Sequence, residues 1–231
     1  MIKHKMNLRG TLSLLAILLC GSFTFAEQPL DSTKWYVGAF GGYILGHLTS
    51  DDPAHEQSTG DYKDDSPIAG VFIGYNFMQD AEWFASGEVI IPLYIKKGTA
   101  VDKQYFPDLV TYEASYRYAV WLAGKFGRYY GKAQPYLFGA VGVVNANGKT
   151  YNVDENDNYS PGFVQVAAAT HFILQLGGGL DYPLNDEMFI GARVVAFIGF
   201  KADHTMPWNE PGPNMFGYNA MLLQINLGYS L

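Results

Sequence analysis

Apolar and polar residues alternate along eight stretches of this chain, at about residues 34–48, 67–78, 82–95, 110–127, 134–147, 163–182, 187–201 and 217–231. A period of two is the mark of β-strands, whose successive side chains point to opposite faces. In the last stretch Leu223, Ile225, Leu227, Tyr229 and Leu231 share one face, and Gln224, Asn226, Gly228 and Ser230 the other. The fourth sets Tyr116, Tyr118, Val120, Leu122 and Phe126 against Glu113, Ser115, Arg117 and Lys125. The sixth sets Phe172, Leu174, Leu176 and Leu180 against His171, Gln175 and Asp181. In the third, Trp83, Val89 and Ile91 oppose Ser86 and Glu88, and in the seventh Ile190, Val194 and Ile198 oppose Arg193 and Lys201. Each strand therefore has one face free of charge.

Alternation of this kind suits a half-buried soluble sheet as well as a membrane wall. Three features favour the membrane. The stretches reach about 10 residues or more, enough to cross a bilayer when tilted ~45°. Trp35, Tyr75, Trp83, Phe126, Tyr136, Tyr182 and Tyr229 fall at one end of their strands, as an interfacial aromatic girdle requires. The connections alternate between short turns (79–81, 128–133, 183–186) and long polar loops (49–66, 96–109, 148–162, 202–216), the asymmetry of periplasmic turns and extracellular loops. The pattern predicts an all-β fold: an eight-stranded antiparallel up-and-down transmembrane β-barrel, with apolar faces toward lipid and a polar interior. Parity places Glu88, Lys125, Asp181 and Arg193 inside it.

The first residues bear on the compartment. Lys3, Lys5 and Arg9 precede a short apolar run from Thr11 to Cys20, and Thr24-Phe25-Ala26 offers small residues where a signal peptidase reads. The run is too short to cross a core of ~30 Å as a helix. Residues 1–26 are thus expected to be a signal peptide cleaved after Ala26, and 27–231 a single barrel domain in the outer membrane. The lone cysteine, Cys20, follows Ile17-Leu18-Leu19, unlike a lipoprotein signal, and lies within the leader, so the mature domain is expected to fold without disulfides. The leader holds three of the 15 Lys and Arg and none of the 22 Asp and Glu, leaving a mature net charge of −10. Nucleic acid is excluded as a partner by that balance, because phosphate binding needs clustered Lys and Arg.

Five passages resemble the OmpA-like and opacity-type outer-membrane barrels: Trp35-Tyr36-Val37-Gly38-Ala39, Gly74-Tyr75, Gly87-Glu88, Gly124-Lys125-Phe126-Gly127, and Gly177-Gly178-Gly179-Leu180-Asp181-Tyr182. The resemblance implies a charged lumen network of two acids and two bases, here Glu88, Lys125, Asp181 and Arg193, with Arg117, Glu113, His171 and Gln175 extending it. It implies as partners the lipids and lipopolysaccharide of the outer membrane, and its assembly machinery, which engages the C-terminal strand. Two departures stand out. The chain ends in Leu231 where that family usually has Phe, and it stops at its last strand, so the family's peptidoglycan-binding domain is not expected.

Catalytic signatures are absent from the sequence: it holds no G-x-S-x-G elbow, no H-E-x-x-H and no C-x-x-C. His171 is followed by Phe172 and Ile173, not by the serine of a lipid A deacylase pair, and reads as a hydrogen-bonding lumen group. Asp154-Glu155-Asn156-Asp157-Asn158 begins like a calcium loop, but Tyr159 replaces its turn glycine and Gln165 its bidentate Glu. That segment, and Asp51, Asp52, His55 and Glu56, read as solvated loop acids; neither a metal nor any cofactor is expected. A soluble lipocalin is the rival fold, prompted by Lys34-Trp35-Tyr36, but Thr33 stands where that motif needs Gly. The expected role is non-enzymatic: envelope integrity with at most weak porin-like activity. The alternative is a surface adhesin or receptor whose long loops, with Trp208 in the fourth, bind a host or ligand molecule. A lipid A-modifying enzyme is the remaining reading.

Overall fold

The computed structural model describes residues 35–51, 61–80, 82–95, 98–102, 109–153, 159–200, 202–204 and 214–231. The leader at 1–26, Asp52, His55, Glu56, the acidic segment 154–158 and Trp208 lie outside the described residues. Eight strands form a closed wall: β1 (Trp35–Asp51), β2 (Asp61–Gln79), β3 (Trp83–Ile95), β5 (Leu109–Arg128), β6 (Gln134–Val153), β7 (Tyr159–Pro183), β8 (Met188–Gly199) and β10 (Asn214–Ser230). Each pairs antiparallel with its neighbours in that order, and β10 closes on β1 from Tyr36↔Ser230 to Asp51↔Met215. Among the described residues there is no helix. The eight-stranded antiparallel barrel expected from the sequence is the fold.

Two short strands stand where the sequence suggests loops. β4 (Gly98–Asp102) pairs with β5, and β9 (Ala202–His204) with β10. The segment expected to loop at 148–162 is also mostly strand, because β6 and β7 stay paired up to Val153↔Tyr159. Apolar alternation records only the part of a strand that meets lipid. Beyond it the backbone ladder continues without that signal.

The turns at the other end are chemically explicit. Asp80 Oδ1 accepts the backbone N–H groups of Glu82 (2.8 Å) and Trp83 (2.7 Å), and Asn185 Oδ1 those of Glu187 (2.9 Å) and Met188 (2.7 Å). These are Asx turns, which replace ladder bonds where the chain reverses. The Tyr130–Ala133 turn instead uses Gly131 at φ 58°, a left-handed position closed to most side chains. This turn end carries Asp80, Glu82, Lys132, Asp186 and Glu187 on its surface; the remaining exposed charged side chain among the described residues is Arg117, toward the loop end.

Between those limits the exterior is apolar, with Leu122, Val141, Phe172, Leu176, Ile225 and Leu227 all exposed. Burying a Leu or Phe is worth roughly 1.5–3 kcal/mol, so a belt of them facing outward is stable against lipid and not against water. The charges are inverted too, since Glu88, Lys125, Asp181 and Arg193 are buried.

The interior differs from the expectation in one respect. It is polar only in part, being filled largely by rings and aliphatic chains such as Phe40, Phe72, Phe84, Ile90, Trp121 and Phe197. Eight strands leave room for side chains alone, and glycines on the adjacent strand supply that room. Phe72 lies opposite Gly38, Phe40 opposite Gly70, Tyr36 opposite Gly74, Trp121 opposite Gly142 and Phe189 opposite Gly228. A Cβ on any of these five glycines would fall within 3.0 Å of the facing ring.

Candidate functional site

The register of the wall brings four ionic side chains from four strands to one level near the turn end. Tyr36 on β1 pairs with Gly74 on β2, and Gly74 with Glu88 on β3. Ser86 on β3 then pairs with Lys125 on β5, while Gly179 on β7 pairs with Arg193 on β8, and Asp181 with Gly191. Long inward side chains beside glycines can cross the lumen. At Gly191 a Cβ would collide with Asp181 Oδ1, so this glycine makes room for the carboxylate.

Glu88 is the hub. Its Oε1 lies 2.8 Å from Lys125 Nζ and its Oε2 2.9 Å from Arg193 Nη2, a contact that spans the barrel. Lys125 Nζ also donates to Asp181 Oδ2 at 3.0 Å. The Tyr36 hydroxyl donates to Glu88 Oε1 at 3.0 Å and lies 3.1 Å from Ser86 Oγ. Arg193 Nε donates to the Tyr136 hydroxyl at 3.2 Å. Aromatic faces cover the cations: Arg193 Cζ sits 4.1 Å from the Phe138 ring centre, and Lys125 Nζ 4.9 Å from Tyr36 and 5.0 Å from Tyr136. Two acids and two bases make the cluster neutral in sum. Burying single ions would cost several kcal/mol each; pairing them on a shared carboxylate offsets that and locks their positions. A recess of about 50 Å³ opens from the turn end toward Lys125 and Asp181. These side chains fill the lumen at this level.

Of the residues expected to extend this cluster, the three whose side chains are described lie apart from it. Gln175 is buried on β7, six residues from Asp181 and therefore ~20 Å along the strand, and half-buried His171 is ~33 Å along it. Arg117 is a correction. It is exposed, because β5 carries a bulge between Tyr116 and Tyr118 where Arg117 is the extra residue, and the bulge cancels the parity argument. Glu113 belongs to β5, but its side chain is outside the described residues.

Six of the seven girdle residues face outward. Trp35, Phe126, Tyr182 and Tyr229 are exposed, and Tyr75 and Trp83 partly so. Trp35 and Tyr75 approach with ring centres 4.8 Å apart, and Trp83 stacks on Phe126 at 5.3 Å. Tyr136 is the second correction: it is 2% exposed and turned into the lumen against Arg193. In Tyr136-Leu137-Phe138 both faces are apolar, so the sequence holds no parity signal there. The same ambiguity hides Tyr36, the cluster residue that sequence reasoning missed. The available cue was the glycine at the facing position of the neighbouring strand.

This closed wall, apolar outside and ionic within, is the fold of an outer-membrane β-barrel. Solved structures of that class resemble it. The outer membrane protein OprG from Pseudomonas aeruginosa matches 85% of this chain over 95% of its own, with 14% identity and a TM-score of 0.48. The outer membrane protease OmpT from Escherichia coli matches 89% of this chain over 99% of its own, with 6% identity and a TM-score of 0.50. Ail, the attachment invasion locus protein of Yersinia pestis, matches 84% of this chain over 99% of its own, with 13% identity and a TM-score of 0.40. At these identities the likeness concerns the fold alone. No protein-family model matches the chain, and no curated protein sequence does.

Proposed function

We propose that the chain is an exported, non-catalytic protein of a bacterial outer membrane, cleaved after Ala26, whose barrel contributes to envelope integrity and conducts ions weakly at most. The observation that carries this reading is the Lys125–Glu88–Arg193 bridge, closed by Asp181, which occupies the lumen beneath a layer of packed rings. Its surroundings are lipid and lipopolysaccharide, with the turn end in the periplasm and the loop end outside; β10 is the strand offered to the assembly machinery. Planar-bilayer recording of the refolded barrel tests the plug. The wild type should show rare, small openings, and Glu88→Ala and Arg193→Ala should raise their frequency. Steady wild-type conductance unchanged in both variants would end this reading.

A second reading, surface recognition of a host or ligand molecule, draws on one feature. Strands β5, β6 and β7 run 20, 20 and 25 residues, against 13 for β3 and 12 for β8. Their paired ends therefore rise past the apolar belt as a wall on one side. Shortening the β6–β7 hairpin should abolish binding to host cells if that wall recognises a partner, and leave envelope integrity intact.

A further inference from the structure

The outward faces of three neighbouring strands change character at one level. On β5 Leu122 and Val120 give way to Tyr118 and Arg117, on β6 Val141 and Val143 to Asn145, and on β7 Leu176 and Phe172 to Thr170. The ladder sets these residues side by side, pairing Tyr118 with Asn145 and Asn145 with Thr170. Tyr94 on β3 is four residues past the Ile90↔Trp121 pair, as Arg117 is on β5, and it is 55% exposed. A polar row therefore crosses four adjacent strands, about 14 Å wide at ~4.8 Å per strand.

Its depth follows from the girdle at the turn end. Nine residues separate Phe126 from Arg117 on β5. They make ~30 Å of strand and, at a tilt of ~35–45°, ~21–25 Å along the bilayer normal, which is the height of an apolar band. Exposed rings mark the same boundary on other strands, with Tyr43 on β1 and Phe200 just past the end of β8. The row thus lies where acyl chains end and headgroups begin.

Its side chains suit a phosphorylated sugar. Arg117 faces outward because of the bulge between Tyr116 and Tyr118, and bulges re-aim side chains at the expense of a ladder position. None of the ion pairs among the described residues involves it. A guanidinium presents a planar fork of donors that matches two phosphate oxygens. Beside it, Asn145 Nδ2 donates to Thr170 Oγ1 at 3.0 Å, which leaves Asn145 Oδ1 to accept and the Thr170 hydroxyl to donate. The chain is acidic overall, with a net charge of −7, so this cation is the feature of the loop-end boundary that draws an anion.

We propose that this row is a headgroup site for lipid A in the outer leaflet. Arg117 takes a phosphate, Asn145 and Thr170 take polar groups of the sugar, and the acyl chains run down over Val120, Leu122 and Val141. The proposal rests on the outer-membrane orientation proposed above, which turns the loop end outward. A phospholipid headgroup brings a phosphate without a phosphorylated glucosamine, and engages Arg117 alone.

Native mass spectrometry of the full mature chain, refolded in detergent micelles and titrated with lipid A, tests the site. Wild type should retain lipid A, and Arg117→Gln should weaken it roughly 10- to 100-fold, as the loss of a charged hydrogen bond implies. Arg117→Lys, which keeps the charge without the fork, should fall between them. Asn145→Ala should weaken lipid A and leave phosphatidylglycerol unchanged, while Arg128→Gln, an arginine of the turn end, should change neither. Electrophoresis of unheated samples shows that each variant is folded. Equal retention of lipid A by wild type and Arg117→Gln, or of lipid A and its dephosphorylated form by wild type, would overturn the site. So would phosphatidylglycerol held as tightly as lipid A. The membrane reading fails separately, if the mature chain stays folded and monomeric in water without detergent.

Discussion

The two halves of the lumen solve one packing problem with different chemistry. Near the turns a neutral set of ions, shared through Glu88, is wrapped in Tyr36, Tyr136 and Phe138. Toward the loops Ile90, Trp121, Phe197 and Leu222 interlock without charge, and Trp121 meets Phe197 edge-on at 5.5 Å. The ionic half joins opposite walls by directional bonds, and the apolar half depends on shape and volume. β3 and β5 pair throughout the first and stop at Ile90↔Trp121 within the second.

The largest effect that would sharpen this contrast is at the hub. Glu88→Ala strands Arg193 and leaves Lys125 with Asp181 alone, a net positive charge in a closed space, and is expected to destabilise the barrel by about 3–5 kcal/mol, measured by urea unfolding in lipid vesicles. Leu222→Ala, a cavity at a fully buried position of the other half, should cost about 2–5 kcal/mol without changing ion conductance. If Glu88→Ala proved the milder of the two, the view that the ionic half holds the walls together would fail. Gly228→Ala drives a methyl group into the Phe189 ring and should cost about 1–3 kcal/mol on the same unfolding scale.

Smaller in energy but sharper in location is hydrogen exchange. Amides of Tyr118–Val120, beyond the last β3–β5 pair, should exchange faster than those of Ala123–Gly127, which are paired with β3. Uniform protection along β5 would erase the distinction between the halves. The smallest effect concerns the Asp80 turn, where the backbone N–H groups of Trp83 and Glu82 hold the carboxyl below its usual range. Its folded pKa being depressed, the turn's added stability is present above the ordinary aspartate value and lost as pH falls through the folded one. Asp80→Asn keeps the acceptor and should make Trp83 amide exchange, after correction for intrinsic rates, independent of pH over that range.

The strands and the inward ions were legible because lipid imposes a strict rule on each exposed position. Leu223, Ile225 and Leu227 could not be polar, and Lys125 among apolar neighbours had to point away from them. Where both faces are apolar, as at Tyr136-Leu137-Phe138, the rule has nothing to distinguish, and Tyr136 was assigned to the wrong side. Arg117 was misplaced for another reason: a bulge changes parity by one and leaves no mark on composition. β4 and the upper reaches of β6 and β7 carry no apolar alternation, so the sequence pattern does not mark them as strands. The end of the β3–β5 pairing at Ile90↔Trp121 has one mark in the sequence, Pro92.

The final backbone bond of the barrel runs from the Leu231 N–H to the Trp35 carbonyl at 2.9 Å, joining residues almost two hundred apart. Until that last hairpin arrives, β1 is an open edge hungry for partners. A ribosome that has released only the first seven strands thus holds a ribbon that cannot yet become a cylinder. Closure of the cylinder must therefore follow completed synthesis.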